Sequence, residues 1–466
     1  MSSRSLPADV IFDILCKLPV KSLLRFKCVC KSWLALISDP LFIKQHLNRV
    51  LENITIPNDD GGSSNFIVIS AGIVFHVDNG SETETNDGSS RKLDLPFQNS
   101  IRSPWVAGSC NGLVCLADER LDDTPEDLFV WNPSTGDYVK LPETPFERPP
   151  SSHLLMTDIS AFGYISALDE YKVVKVIDAF DVSRSPGVNR STVLVHTLGT
   201  DSWRKIGEDV SFQIDCRSGG LLLHGGIHWP AARFFQVGVL MLIVCFDLED
   251  EVFWEVPSPD MGEVDKDWIK LGVLRGCLCA FLSVHGERID IWVMEDYGAK
   301  ESWIRQFSFQ WRAIARGFES YDPAWFVRDG EIFLKNASGE VVLYHPIRNR
   351  VLRLPNARDR EFREGEFKRI LGYVQTLVSP LSLKANSGVS RLYLNVVSNL
   401  GDNLGSVLTR VWRKPLLEKI IVAFGGALIS YKKLNLKAVE LRIAGTKPED
   451  IPRSFDLLTE GLWIRV

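Results

Sequence analysis

The hydrophobic period of this chain changes from helical to alternating as it passes residue 90, and no other feature limits the fold so strongly. From Leu6 to Leu47 the apolar residues keep helical spacing. Val10, Ile14 and Leu18 make one row, Ile11 and Leu15 lie beside it, and Leu23, Phe26, Val29, Trp33 and Ile37 follow. Two or three short helices are predicted over residues 1–47. Pro7 fits a first helical turn, Asp9 suits the positive end of the helix dipole, Pro19 ends the first helix and Pro40 the last. Residues 48–90 read as a connecting segment. Its polar stretch 79–90 lacks the large apolar groups that would repay the entropy of ordering, so a mobile loop is expected there.

Over residues 91–380 one pattern recurs: an apolar strand, a tight polar turn, then a strand carrying an aromatic or large apolar residue. It occurs at 128–141 with Trp131, at 193–206 with Trp203, at 243–256 with Trp254, at 289–307 with Trp303, and at 341–354. From the second of these onward the turns recur at roughly fifty residues, the spacing of kelch-type propeller blades. One hairpin cannot cover both of its faces, so blades stacked around an axis supply the missing cover and hide most strand edges. The predicted fold class is mainly β with a small α N-terminal module, three short helices followed by a β-propeller-like repeat domain. The blade number does not emerge from the diverged repeats. The four tryptophans are expected as core residues at equivalent places in successive repeats.

Residues 381–466 differ in kind. They hold 13 Lys and Arg against 7 Asp and Glu, a net of +6 that leaves −12 for residues 1–380. Helical and strand-like pieces mix there, at 416–430 and 438–443 among others, as a basic extension whose fold the pattern does not assign. The whole chain carries −6 with a pI near 5.9, so it has no overall positive field for nucleic acid or anionic lipid. The longest apolar stretches, 237–246 and 420–429, fall well short of the roughly 20 residues that a membrane helix needs. Nine cysteines, an odd number thinly spread behind no apolar leader, point to free thiols in a reducing compartment, cytoplasmic and/or nuclear.

The string LPADVIFDILCKLPVKSLLRFKCVCKSW at residues 6–33, continued by SDPLF at 38–42, resembles an F-box through many anchored positions at fixed spacing. The resemblance implies a binding function: the helices pack against a Skp-type adaptor that itself sits on a cullin scaffold. Leu6, Pro7, Ile11, Leu15, Leu18, Pro19, Leu23 and Val29 occupy the matching apolar positions and are the expected adaptor-binding residues. A segment of roughly 40 residues is too small for a self-sufficient core and gains by sharing apolar surface with a partner. Some of these side chains, with Trp33, also serve to hold the helices together. Further on, GSCNGLVCL at 108–116, FVWNPSTG at 129–136, DEYKVV at 169–174, GIHW at 226–229 and IVCFD at 243–247 are similar to plant F-box-associated domains. That likeness implies recruitment of a protein target for ubiquitination. It departs from the family after Pro380, where relatives normally stop or nearly so.

Other chemistries are weaker. Gly108-Ser-Cys110-Asn-Gly112 has the spacing of a nucleophile elbow, which keeps a cysteine hydrolase as an alternative, but a β-patterned run follows it instead of a helix. Cys28-Val-Cys30 and Cys277-Leu-Cys279 are at most half of a zinc site and lack the usual knuckle spacing. His224 and His228 stand four apart, yet Gly225 and Gly226 between them break any helix. No catalytic residue, metal or cofactor is expected. The acidic run 118–127 is expected to be a solvated loop, with a basic target as the sharper reading. A second alternative is an F-box interaction protein that never joins a cullin.

Overall fold

The computed structural model describes residues 7–55, most of 64–383, and beyond that only the strands named below. The longer stretches outside the described residues before 383 are 80–88, 119–125, 146–153, 182–188, 261–268, 311–320, 327–331 and 354–366. The chain divides into two compact units, residues 384–466 together with Ile165–Glu170 forming one and the remainder the other.

Four helices open the chain: α1 (Ala8–Cys16), α2 (Val20–Phe26), α3 (Lys31–Ile37) and α4 (Pro40–Thr55). Pro40, expected to end the last helix, instead starts α4. Asp39 makes the difference, because its carboxylate accepts the backbone N–H groups of Leu41 at 2.8 Å and Phe42 at 3.2 Å, and a proline in the first turn needs no such partner. Two faces of α4 then do different work. Phe42 joins Leu15, Cys16, Val20, Leu23 and Ile37 in the core of the helical module, while Leu47, flanked by Ile43 and Leu51, packs into the β-domain. The spacing 43, 47, 51 is one helical face.

Among the described residues the β-domain forms six antiparallel sheets. The first holds β1 (Ser64–Ser70), β2 (Ile73–Asn79) and β3 (Ser89–Lys92); the second β4 (Pro104–Cys110), β5 (Leu113–Asp118), β6 (Leu128–Trp131) and β7 (Tyr138–Lys140). The third is β8 (Leu154–Ile165), β9 (Glu170–Asp181), β10 (Asn189–Thr197) and β11 (Arg204–Glu208). In the fourth the innermost place is shared by β12 (Gln213–Ile214) and β13 (Leu221–Leu223), followed by β14 (Gly226–Phe234), β15 (Val239–Asp247) and β16 (Val252–Val256). The fifth is β17 (Ile269–Leu274), β18 (Cys277–Val284), β19 (Arg288–Met294) and β20 (Trp303–Gln310); the sixth is β21 (Tyr321–Phe326), β22 (Ile332–Asn336), β23 (Val341–His345) and β24 (Arg350–Arg353).

The chain then returns as β25 (Phe367–Tyr373), which pairs with β1 and becomes the innermost strand of the first sheet. Innermost strands meet their neighbours around the ring: β25 touches β4 and β21, and β17 touches β21 and β13. Gly108 of β4 sits so close to β8 that a Cβ there would lie 3.0 Å from the carbonyl oxygen of Phe162. The ring is thus a propeller closed by a strand from the far end of the domain.

This places the β-domain's start at Ser64 rather than at 91. Residues 48–90 are not a plain connection: α4 fills the first part, and β1 to β3 build the first sheet. Phe66, Ile67, Val68 and Ile69 are all buried because both faces of β1 are covered, so the alternating signature of a half-exposed strand is absent there. The loop expected over 79–90 lies largely outside the described residues. In the second unit the basic extension contains a three-stranded sheet, β26 (Val389–Asn395), β27 (Ala427–Asn435) and β28 (Ala438–Ala444), and a hairpin of β29 (Asp456–Thr459) and β30 (Leu462–Arg465).

Candidate functional site

The residues expected to bind the adaptor separate by burial. Leu15 and Leu23 are at 1% and 0% exposure and form part of the core of the helical module. Pro7, Pro19 and Val29 are exposed, Ile11 and Leu18 are half-buried, and Leu6 lies outside the described residues. Large apolar side chains outside the expected adaptor-binding set stand open to solvent: Val10 and Ile14 on α1, Leu34 on α3, and Leu41 on α4 at 72%. Val10 and Ile14 are four apart on one helical face, and Leu41 is exposed because Asp39 fixes the first turn of α4. The amphipathic row Val10, Ile14, Leu18 was legible, but its direction was not. Two apolar faces border α1, and only packing decides which one turns inward.

The module is anchored from below by residues 374–383. Leu377 completes the module's core beside Leu15, Leu23 and Phe42, and the next residue, Val378, enters the core between the second and third sheets with Leu47. Asn132, fully buried at the end of β6, donates from Nδ2 to the carbonyl oxygens of Thr376 at 3.1 Å and Val378 at 2.6 Å. The Thr376 hydroxyl donates to the carbonyl of Asn111 at 2.9 Å. Gly112 makes this approach possible, since a Cβ on it would collide with the Thr376 side chain. The strap therefore fixes the helices to the propeller through side chains from both.

The two ends of the ring differ in chain geometry. At the strap's end the connections are tight: Asn111-Gly112, His224-Gly225 and Arg275-Gly276 join first to second strands with φ near 50° and then near 80°, the pattern of a type I′ hairpin. Glu251, Gly136, Gly199 and Gly298 serve similar turns between third and fourth strands. The opposite end carries the longer connections, among them 119–127, 141–153 and 257–268. Of the acidic run 118–127, residues 119–125 lie outside the described residues. Its last members are tied inward, Glu126 to Lys175 and Asp127 to Lys140 at 2.9 Å.

The chemistry of the buried groups is that of packing. Burial pushes the thiols of Cys110 and Cys245 up to about 12 and that of Cys115 higher still, so at neutral pH they are protonated. Cys110 precedes a strand-to-strand turn, with no helix behind it, which removes the elbow geometry that the hydrolase alternative requires. His228 hydrogen-bonds Tyr297 at 2.5 Å, and burial lowers its pKa to about 4, so it is neutral inside the fourth sheet. Among the described residues no three His, Cys, Asp or Glu side chains converge as a metal site. Lys172 spans from the third sheet to Glu251 of the fourth at 2.7 Å, a buried link between neighbouring sheets.

Residues 4–45 match the F-box domain and residues 65–370 match the F-box associated beta propeller domain. The F-box protein At3g07870 of Arabidopsis thaliana is 30% identical, over 74% of this chain and 85% of its own length. The F-box protein CPR1 of the same organism is also 30% identical, over 70% and 78% of the two chains, and the F-box/kelch-repeat protein At3g23880 is 27% identical over 82% and 98%. With a four-helix module at 8–55 pinned to a closed ring of sheets at 64–373, the chain belongs to the F-box proteins that carry an F-box-associated β-propeller domain.

Proposed function

We propose that this protein is the substrate-recognition subunit of an SCF-type cullin-RING ubiquitin ligase, acting without catalysis of its own. The helical module docks on a Skp-type adaptor, and through it on a cullin, while the propeller holds a protein target. One observation carries the reading. The module's core is already closed by Leu377 and α4, yet Val10 and Ile14 on α1, Val29 in the turn between α2 and α3, Leu34 on α3 and Leu41 on α4 remain exposed. Leaving that much apolar surface in water is unfavourable by about 25 cal/mol per Å² and is offset when a partner covers it. In the same module Pro7 and Pro19 are exposed and Ile11 and Leu18 half-buried.

The target is taken at the end of the ring that carries the long connections, away from the tight turns that face the strap. Such an arrangement lets the connections vary without disturbing adaptor docking. The complex works in the cytoplasm, the nucleus or both.

Reconstitution tests this. The purified chain is mixed with adaptor, cullin and RING subunit and passed over a sizing column. Co-elution of all four is expected. Adaptor binding without the cullin would favour a ligase-independent F-box protein, and no adaptor binding would overturn the reading.

A further inference from the structure

The hairpin of β14 and β15 outruns its neighbours. Its ladder runs from Gly226–Asp247 to Phe234–Val239, but β12 reaches only to Ala232 on one side and β16 only to Ile243 on the other. The outer strand stops at Val256 because Pro257 follows, and a proline cannot donate to the ladder. Residues 239–242 of β15 therefore pair inward with β14, and none of the described strands pairs with their outer edge. The hairpin's root is firm, since Leu242 is buried and Met241 packs on the core between the fourth and fifth sheets. Its tip is open: Phe234, Phe235, Val239 and Leu240 are 50%, 53%, 38% and 46% exposed.

Proteins ordinarily blunt such an edge with a charge, a proline or a cover. Here no charged residue occurs from Phe234 to Phe246, and the nearest charge, Arg233, is engaged by Glu255 across the sheet. The hairpin stands at the end of the ring that carries the long connections. We propose that the edge at 239–242 binds an extended, uncharged, apolar segment of a protein target, which adds to the fourth sheet as a further strand beside β15. Backbone hydrogen bonds would supply the affinity and the alternate side chains the selectivity. Four residues span roughly 13 Å at the rise of a strand, enough for a short target segment. They are too few for a second copy of this chain, because a stable dimer buries on the order of 800 Å² per partner. The inference rests on the propeller being the target-binding part.

The test uses the full chain bound to adaptor. The probe is a fluorescent peptide of alternating valine and threonine with a lysine at each end, and its comparator carries N-methyl groups on alternate amides. The unmethylated peptide should bind saturably. N-methylation and Leu240→Lys should each weaken it at least tenfold, while adaptor binding and melting temperature stay unchanged; Val239→Lys provides a second variant on the same edge. Absent binding, or equal binding of both peptides and all variants, would overturn the proposal. A dimer that Leu240→Lys dissolves, seen by light scattering, would assign the edge to self-association and overturn it too. Loss of the adaptor from the unaltered chain would instead sink the ligase reading and leave the peptide result standing.

Discussion

Trp303 donates its indole N–H to the carbonyl oxygen of Pro257 at 2.7 Å. Trp203 repeats the arrangement one pair of sheets earlier, donating to Pro142 at 2.8 Å. In both cases a tryptophan at the start of an outer strand reaches the proline just beyond the outer strand of the preceding sheet, so the bond ties blade to blade. Replacing Trp303 by Phe should keep the ring packing but strand the Pro257 carbonyl, costing about 1–2 kcal/mol. Replacement by Ala should cost about 3–5 kcal/mol through the added cavity. Trp254, expected as an equivalent core residue, lies within β16 instead of ahead of it. It is 37% exposed, edge-on to Tyr297, and Trp254→Ala should cost less than about 1.5 kcal/mol. Urea unfolding of the three variants checks the order, and a Trp254→Ala cost equal to that of Trp303→Ala would refute it.

That misplacement shows what the sequence could convey. Recurrence of Trp near a turn marks a repeat, and it led to the propeller and to the Trp203 and Trp303 pair; Trp131 is buried as expected, but it ends the third strand of its sheet and is not their equivalent. Where along its strand a tryptophan falls decides what covers it, and nothing local at Trp254 announces that it stands two residues into β16 instead of at its start. The first sheet was hidden for a different reason. Its strands lie between helix α4 and a polar stretch, and their inner neighbour, β25, arrives from some three hundred residues downstream. The helical module was legible because its anchors are local. The burial of Leu15 and Leu23 was not, since it depends on Leu377.

The same distinction between core and surface yields a test of the docking face. Val10→Glu with Ile14→Glu should abolish adaptor binding and leave the melting temperature within a few degrees, because both side chains are solvent-exposed. Leu23→Ala should do the reverse in order of cause, destabilising the module by about 2–5 kcal/mol and weakening adaptor binding only as far as the module unfolds. Calorimetric titration with purified adaptor, paired with thermal melts, separates the two. Tight binding by the double variant would place the interface elsewhere.

Acid should weaken the fold through its buried histidines. His228 is completely buried, and desolvation lowers its pKa from 6.5 to about 4, while burial also lowers His46 and His196. A lowered folded-state pKa means that the unfolded chain binds the proton first, so this stability is complete above pH 6.5 and is lost as pH falls toward 4. For His228 alone the loss by pH 5 is about 2 kcal/mol. Buried Glu126 and Asp178, whose pKa values are raised, act in the opposite direction, so the informative quantity is a difference. Denaturant unfolding at pH 7 and pH 5 should show a smaller drop for His228→Asn than for the parent chain. An equal drop would mean that His228 takes up its proton in the folded state.

The strap makes adaptor docking depend on propeller closure. Leu377 belongs to the helical core, yet the chain reaches it only after β25 has closed the first sheet and Asn132 has gripped the Thr376 and Val378 carbonyls. Removing the Leu377 side chain leaves a cavity beneath Leu15, Leu23 and Phe42, which should cost about 2–4 kcal/mol in that part of the molecule. Leu381, two-thirds exposed at the strap's end, gives the matching control, since Leu381→Ala removes a similar side chain and almost no packing. Hydrogen exchange should therefore speed up in α1 and α2 for Leu377→Ala, with adaptor affinity falling, and neither should change for Leu381→Ala. A chain ending at Leu383 keeps the whole strap and should bind adaptor as the full chain does, whereas a chain ending at Tyr373 should not. Full adaptor affinity in the chain ending at Tyr373 would show that the helices need neither Leu377 nor the closed ring beneath them.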